Sequence, residues 1–277
     1  MSVRSNPMGI YEKALPAFGS WTEALETVAR TGYDFLEFSI DESDERIARL
    51  SWSAAEVGAL RRAIADTGVP VRHLCLSGHR RFPFASSEPA TRDKAWEMMR
   101  RGLDLSVELG VRVIQTQGHD VYYEESTPDT RARYRDGLAR AAEMAREASV
   151  MLALENADLP MMGSLDQARE WIEACGNPWL QMYPDLGNTM GHGHDLLAEL
   201  PRNLQHIVAV HVKDARPGEF RRVPFGEGIV PFREAFEVLS GADYRGPFVV
   251  EMWNENNEDP EAVIRDARSW ILERMPE

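Results

Sequence analysis

The chain has 277 residues, of which 43% are hydrophobic and 27% charged, an ordinary globular balance that excludes disordered, fibrous and collagen-like classes. Its net charge of −14 argues against a general nucleic-acid binder, which needs a basic face, but leaves room for a small basic pocket. Cys75 and Cys175 are too few for a disulfide framework or a cysteine zinc site. Met1 to Met8 carry no apolar signal core, and no run reaches the length of a membrane span. A soluble cytoplasmic enzyme without nucleic-acid or membrane partners is expected.

Short apolar, β-branched runs recur along the chain. Strands are predicted over Met8–Lys13, Asp34–Ile40, Val71–Ser77, Val111–Gly118, Val150–Asn156, Leu180–Gly187, Ile207–Asp214 and Pro247–Trp253. They start roughly 26 to 40 residues apart, a spacing suited to a repeated β/α unit. Helix punctuation fills the intervals. Ser20 with Glu23, Ser53 with Glu56 and Ser164 with Gln167 read as capping boxes. Thr127-Pro128 starts a helix, and Gly32, Gly68, Gly110 and Gly176 stand where helices stop. Ala95, Met99, Leu103 and Val107 predict one apolar helix face, and Tyr134, Leu138, Ala141, Ala142 and Ala145 another.

Alternating strands and helices imply a parallel sheet covered by helices. Eight units without a linker or low-complexity segment predict a single α/β (β/α)8 TIM barrel over residues 1–277. The rival, an open doubly wound sheet, lacks its Gly-rich phosphate loop, since the first strand ends Gly9-Ile10-Tyr11-Glu12-Lys13.

Barrel chemistry lies at the carboxyl ends of the strands. Glu155, Asp185, His211 and Glu251 each follow an apolar run there, on four consecutive units. A lone carboxylate so placed costs several kcal/mol or stays protonated, roughly speaking. The bland reading of each is a polar strand end bonded to a nearby loop. Four converging at one mouth instead make a site for one divalent cation. Oxygen-rich ligation suits Mn2+ or Mg2+, and the histidine keeps Zn2+ and Co2+ open.

These residues sit within a wider pattern. Gly9-Ile10-Tyr11-Glu12-Lys13-Ala14-Leu15-Pro16, Cys75-Leu76-Ser77, His79-Arg80-Arg81-Phe82-Pro83 and Asp120-Val121-Tyr122-Tyr123 come first. Tyr183-Pro184-Asp185, His206 through Asp214, Val223-Pro224-Phe225-Gly226-Glu227-Gly228 and Glu251-Met252-Trp253 follow in order. Over nearly its whole length the chain resembles the xylose-isomerase-like barrels, and within them the L-ribulose-5-phosphate 3-epimerases. The resemblance implies a carbohydrate isomerase of pentose phosphate metabolism that interconverts L-ribulose 5-phosphate and L-xylulose 5-phosphate through a cis-enediolate. It implies a metal held by Glu155, Asp185, His211 and Glu251, with Glu155 and Glu251 as catalytic residues facing each other across the substrate. It also makes a homodimer plausible.

Asn188 stands where epimerases of free ketoses tend to carry histidine, which fits the phosphosugar branch. Gly191-His192-Gly193-His194 is a polar loop or an adventitious surface metal site. Phosphate candidates are Lys213, Arg216, Arg221 and Arg222 after strand seven and His79, Arg80 and Arg81 after strand three, each otherwise a solvated loop charge. Tyr11, Phe82, Tyr122 and Trp253 are candidates for the pocket wall; Glu37, Lys13 and Glu227 are weaker candidates for substrate contact. Other readings on this barrel are a 3-epimerase or isomerase of a non-phosphorylated ketose of the tagatose or psicose type, and a lyase acting on an inositol-like substrate. A repair nuclease of the endonuclease IV type would need more histidine ligands and a basic groove, and a non-catalytic sugar-binding barrel would leave the four ligand-type residues surplus.

Overall fold

The computed structural model describes residues 2–253 and 257–277. Its parallel strands are β1 Met8–Tyr11, β2 Phe35–Ser39, β3 Val71–Cys75, β4 Val113–Gln117, β5 Met151–Glu155, β6 Leu180–Met182, β7 Val210–Val212 and β8 Phe248–Val250. The ladder order is β6-β5-β4-β3-β2-β1-β8-β7. Its ends meet, because Met182 bridges Ile207 and Asp185 bridges His211. Val208 N donates to Met182 O at 3.0 Å and His211 N to Pro184 O at 2.9 Å across that seam. The sheet is therefore a closed eight-stranded barrel with helices between its strands, and the open-sheet alternative, which needs two free edges, is excluded.

Each strand lies within its predicted segment but is shorter. The largest difference is in the sixth unit. The strand ends at Met182, and Leu186 and Gly187, predicted as strand, begin the helix Leu186–Gly191. Pro184 has no N–H for a ladder, and Asp185 caps the helix by accepting from Asn188 N at 2.8 Å. Asp185 is thus a helix cap at the barrel mouth rather than a strand end.

Most predicted helix signals hold. Ser53/Glu56 and Ser164/Gln167 form complete capping boxes, and Thr127 caps the helix that opens with Pro128. Ser20 accepts from Glu23 N, but the Glu23 carboxylate turns to Gly19 N instead of completing the box. Gly68, Gly110 and Gly176 are left-handed helix ends. Val107 is a correction. It is 58% exposed, whereas Ala95, Met99 and Leu103 are buried. A strict four-residue step advances about 40° per step around a helix, so its fourth member has rotated off the inner face.

Two cores result. The larger lies between strands and helices. The smaller fills the barrel with Tyr11, Phe35, Cys75, Val113, Ala153, Tyr183, Ala209 and Val249, one residue from each unit. Strand side chains alternate in and out, so residues two further along also face inward. That parity carries Glu37, Glu155, Asp185, His211 and Glu251 into the layer above this ring. Below, the Phe35 ring lies flush against Gly9, where an added Cβ would overlap it. Gly9→Val is expected to destabilise the barrel by roughly 1–3 kcal/mol through overpacking, as measured by denaturant unfolding.

Candidate active site and metal centre

Glu155, Asp185, His211 and Glu251 each offer a ligand atom to one group whose atoms lie within 4.8 Å of one another. The first three are almost fully buried, and the Glu251 side chain is 12% exposed. His211 links the group to the barrel wall. Its Nδ1 donates to Glu155 Oε1 at 2.5 Å and lies 3.6 Å from Glu251 Oε2. Its Nε2 donates to Glu37 Oε2 at 2.8 Å. Glu37 Oε1 in turn accepts from the Tyr183 hydroxyl at 2.8 Å, and that hydroxyl lies 2.8 Å from His73 Nδ1. The Gln115 side-chain amide donates to Glu155 Oε2. Glu155 and Glu37 are thus each held through both carboxylate oxygens.

Lys213 stands inside the cluster. Its Nζ lies 2.7 Å from Asp185 Oδ2, 3.1 Å from Glu251 Oε2 and 3.0 Å from Asn188 Oδ1. Asn188 is held by donating Nδ2 to Asn156 O at 2.7 Å.

The electrostatics are uneven. Burial pushes Asp185 up to about 8, against the pull of Lys213 and with help from the Glu251 and Glu155 charges. Burial also raises Glu155, despite His211 beside it. Glu251 behaves oppositely: burial would raise it, but Lys213 and His211 outweigh that and hold it at about 2. Burial would lower His211, yet Glu37 and Glu155 keep it well above the usual histidine value. To ligate through Nδ1, the ring gives up that proton and keeps the one directed at Glu37.

The residues fit a divalent ion. Asp185 Oδ2 and Glu251 Oε2 are buried without an aligned hydrogen bond among the described residues, although the Lys213 ammonium is near both. Three carboxylates against one ammonium leave two negative charges beside a ligating imidazole, which one divalent cation balances.

A family model described as xylose isomerase-like TIM barrel matches residues 25–274. The chain belongs to this family. It is 49% identical over 269 residues to the L-ribulose-5-phosphate 3-epimerase UlaE of Escherichia coli O139:H28 (strain E24377A / ETEC), covering 97% of this chain and 95% of that protein. A solved structure of L-ribulose 3-epimerase superposes with TM-score 0.78 at 22% identity, covering 96% of this chain and 93% of the other. The apo structure of the 3-keto-D-glucoside 4-epimerase YcjR from E. coli also gives 0.78 at 22% identity, with 96% and 99% covered. At such identities the structural likeness speaks for the fold. Among the described residues, no helix is long and apolar enough to cross a membrane.

The other residues singled out from sequence scatter. Lys213 sits among the metal-type ligands rather than on the rim. Arg216 is on the outer loop, paired with Glu227 at 2.7 Å and Glu219 at 3.2 Å, so Glu227 too faces away from the cluster. Arg221 pairs with Asp158 at 2.5 Å, and Arg81 with Asp44 at 2.6 Å. Lys13 is tied to Asp41 at 2.5 Å. Trp253 packs edge-on to Tyr11 at 6.2 Å and, with Lys213 and Glu251, lines a cavity of ≈ 130 Å³. Phe82 stacks under Arg81 and Lys94 at the edge of another groove. His192 and His194 do not converge on one ion: His192 Nε2 donates to Ala157 O at 3.1 Å, its ring lies on Phe220, and His194 is 3.9 Å from Glu199.

Sequence reasoning undervalued Glu37, gave Tyr183 no role beyond its place in a motif, and passed over His73, Gln115 and His119. The signal for Glu37 was present, because Phe35, Glu37 and Ser39 share one face of β2 and Phe35 is a large barrel-filling residue. As the carboxylate that orients His211, Glu37 is expected to matter for metal rather than for folding. Glu37→Gln should weaken divalent-metal affinity by about 10- to 100-fold, read by competition with a chromogenic chelator.

Proposed function

We propose that residues 1–277 form one catalytic barrel, a metal-dependent ketose-phosphate 3-epimerase that interconverts L-ribulose 5-phosphate and L-xylulose 5-phosphate. The observation that carries this reading is the pair Glu155 and Glu251, which come from β5 and from the end of β8, three strands apart, into the same buried cluster. The identity to named L-ribulose-5-phosphate 3-epimerases over nearly the whole chain supports the substrate.

Epimerisation at C3 removes a proton next to the C2 carbonyl and returns one on the opposite face. Glu155, Asp185, His211 and Glu251 would hold one divalent ion; Mn2+, Mg2+, Zn2+ and Co2+ are all compatible with that donor set. The ion supplies Lewis-acid stabilisation of the negative charge that develops on the C2 and C3 oxygens.

The chain supplies the protons. Glu155 and Glu251 would share the proton transfer, one accepting the C3 proton as carboxylate and the other returning a proton on the opposite face. The reverse reaction exchanges those roles. Gln115 fixes the second oxygen of Glu155, and Lys213 keeps Asp185 and Glu251 in register. The closed barrel beneath excludes water from the cluster.

Proton NMR of L-ribulose 5-phosphate with metal-loaded enzyme in D2O tests the reading. L-xylulose 5-phosphate carrying deuterium at C3 is the expected product. Conversion of only free ketoses would replace the phosphosugar substrate, and loss of water would replace epimerisation by a lyase reaction. Glu155→Gln and Glu251→Gln are each expected to reduce C3 exchange by about 10²- to 10⁴-fold while the protein stays folded by circular dichroism.

A further inference from the structure

The four metal-type ligands share their space with a cation of the chain itself. Lys213 lies just past the end of β7, two residues after His211, so strand alternation turns both side chains to the barrel interior. Its ammonium is buried and faces two carboxylate oxygens, Asp185 Oδ2 at 2.7 Å and Glu251 Oε2 at 3.1 Å. Neither oxygen has an aligned hydrogen bond among the described residues. Glu251 Oε2 also lies 3.6 Å from His211 Nδ1, so the ammonium and the ligating ring nitrogen approach the same oxygen. These oxygens are thus offered both to the ammonium and to a divalent ion, and each cation repels the other.

The place of the ammonium is built into the fold. Nζ donates to Asn188 Oδ1 at 3.0 Å. That amide is held in its orientation, because its Nδ2 donates to Asn156 O at 2.7 Å. Asn156 is fixed in turn: its Oδ1 accepts from Asp185 N at 2.8 Å, and its Nδ2 donates to Asp185 O and Thr189 Oγ1, both at 3.1 Å. One chain of amides therefore carries the backbone of a ligand residue and the lysine charge together. An ammonium has three donors. Here one goes to Asn188 and the others face Asp185 and Glu251, with the Trp253 ring centre 5.9 Å away on a further side.

A like charge held this close to a divalent ion is little screened in a buried site. A site built for the tightest retention of an ion has an apolar or acceptor group at such a position. An ammonium lowers the hold on the ion and keeps the carboxylates compensated when the ion leaves.

We propose that Lys213 is an internal counter-ion that competes with the divalent ion for Asp185 and Glu251 and so sets an affinity at which the ion exchanges. The inference rests on the reading of Glu155, Asp185, His211 and Glu251 as a metal site, and is independent of which sugar the enzyme takes.

The test is the Mn2+ affinity of wild type, Lys213→Met and Lys213→Gln, measured on the full chain by competition with a chromogenic chelator. Both variants are expected to bind Mn2+ more tightly, by about 10- to 1000-fold, because a repelling charge is gone. A lysine that only braces the carboxylates predicts the opposite, weaker binding. Wild type that binds no Mn2+ at these residues overturns the metal-site reading itself. Wild type that binds, with equal or weaker binding in variants folded by circular dichroism, overturns the role of Lys213 alone. A readout on the unaltered protein covers variants that do not fold. In 15N-lysine NMR, titration with Mg2+ should shift the Lys213 ammonium signal as the ion draws on its carboxylate partners. Mg2+ that moves the His211 ring signals and leaves the Lys213 ammonium unmoved overturns the competition.

Discussion

Three carboxylates buried within one small volume repel each other, and the upper half of this barrel is organised around that repulsion. Glu155, Asp185 and Glu251 leave water to meet at the mouth, where Lys213 and His211 offset their charge. Removing either cation would leave carboxylates buried and uncompensated, the costly form of a broken ion pair. The same crowding makes the place attractive to a divalent cation, while burial raises Glu155 and the charges of Lys213 and His211 lower Glu251. Structural cost and chemical capacity have one source.

Precision comes from the shell behind the charged groups. His211 cannot rotate, because Glu37 holds its outer nitrogen, Tyr183 holds Glu37, and His73 stands behind Tyr183. Asp185 is held by the helix it caps, and Asn188 ties that helix both to β5 through Asn156 and to Lys213. These contacts cross the barrel interior, so a change at any of them tilts a ligand without touching substrate.

The mouth divides the work. Units five to eight bring the acidic cluster, and units three and four bring His79, His119 and Arg80, each with a buried nitrogen that has no hydrogen-bond partner among the described residues. Asp158, after β5, joins the two halves by accepting from Tyr122, after β4, as well as from Arg221. The outer loop charges, Arg216 with Glu219 and Glu227, satisfy each other in solvent.

The barrel was legible in the sequence because its signals are local: apolar runs of strand length, capping boxes at Ser53 and Ser164, and glycine stops at Gly68, Gly110 and Gly176. The four ligand-type residues were legible too, since each ends an apolar run and the fold class sends such positions to one face. Alternation along β2 already placed Glu37 on the inner face, though its partner was out of reach. What each loop residue meets was decided by the tertiary structure. Lys213, Arg216 and Arg221 are near neighbours in sequence, yet one enters the acidic cluster, one faces solvent and one pairs with Asp158 from a different unit. His119 looked like any loop histidine until burial took away its water. Strand and helix follow from interactions a few residues apart, whereas partners across a barrel mouth are set by how eight units close in space.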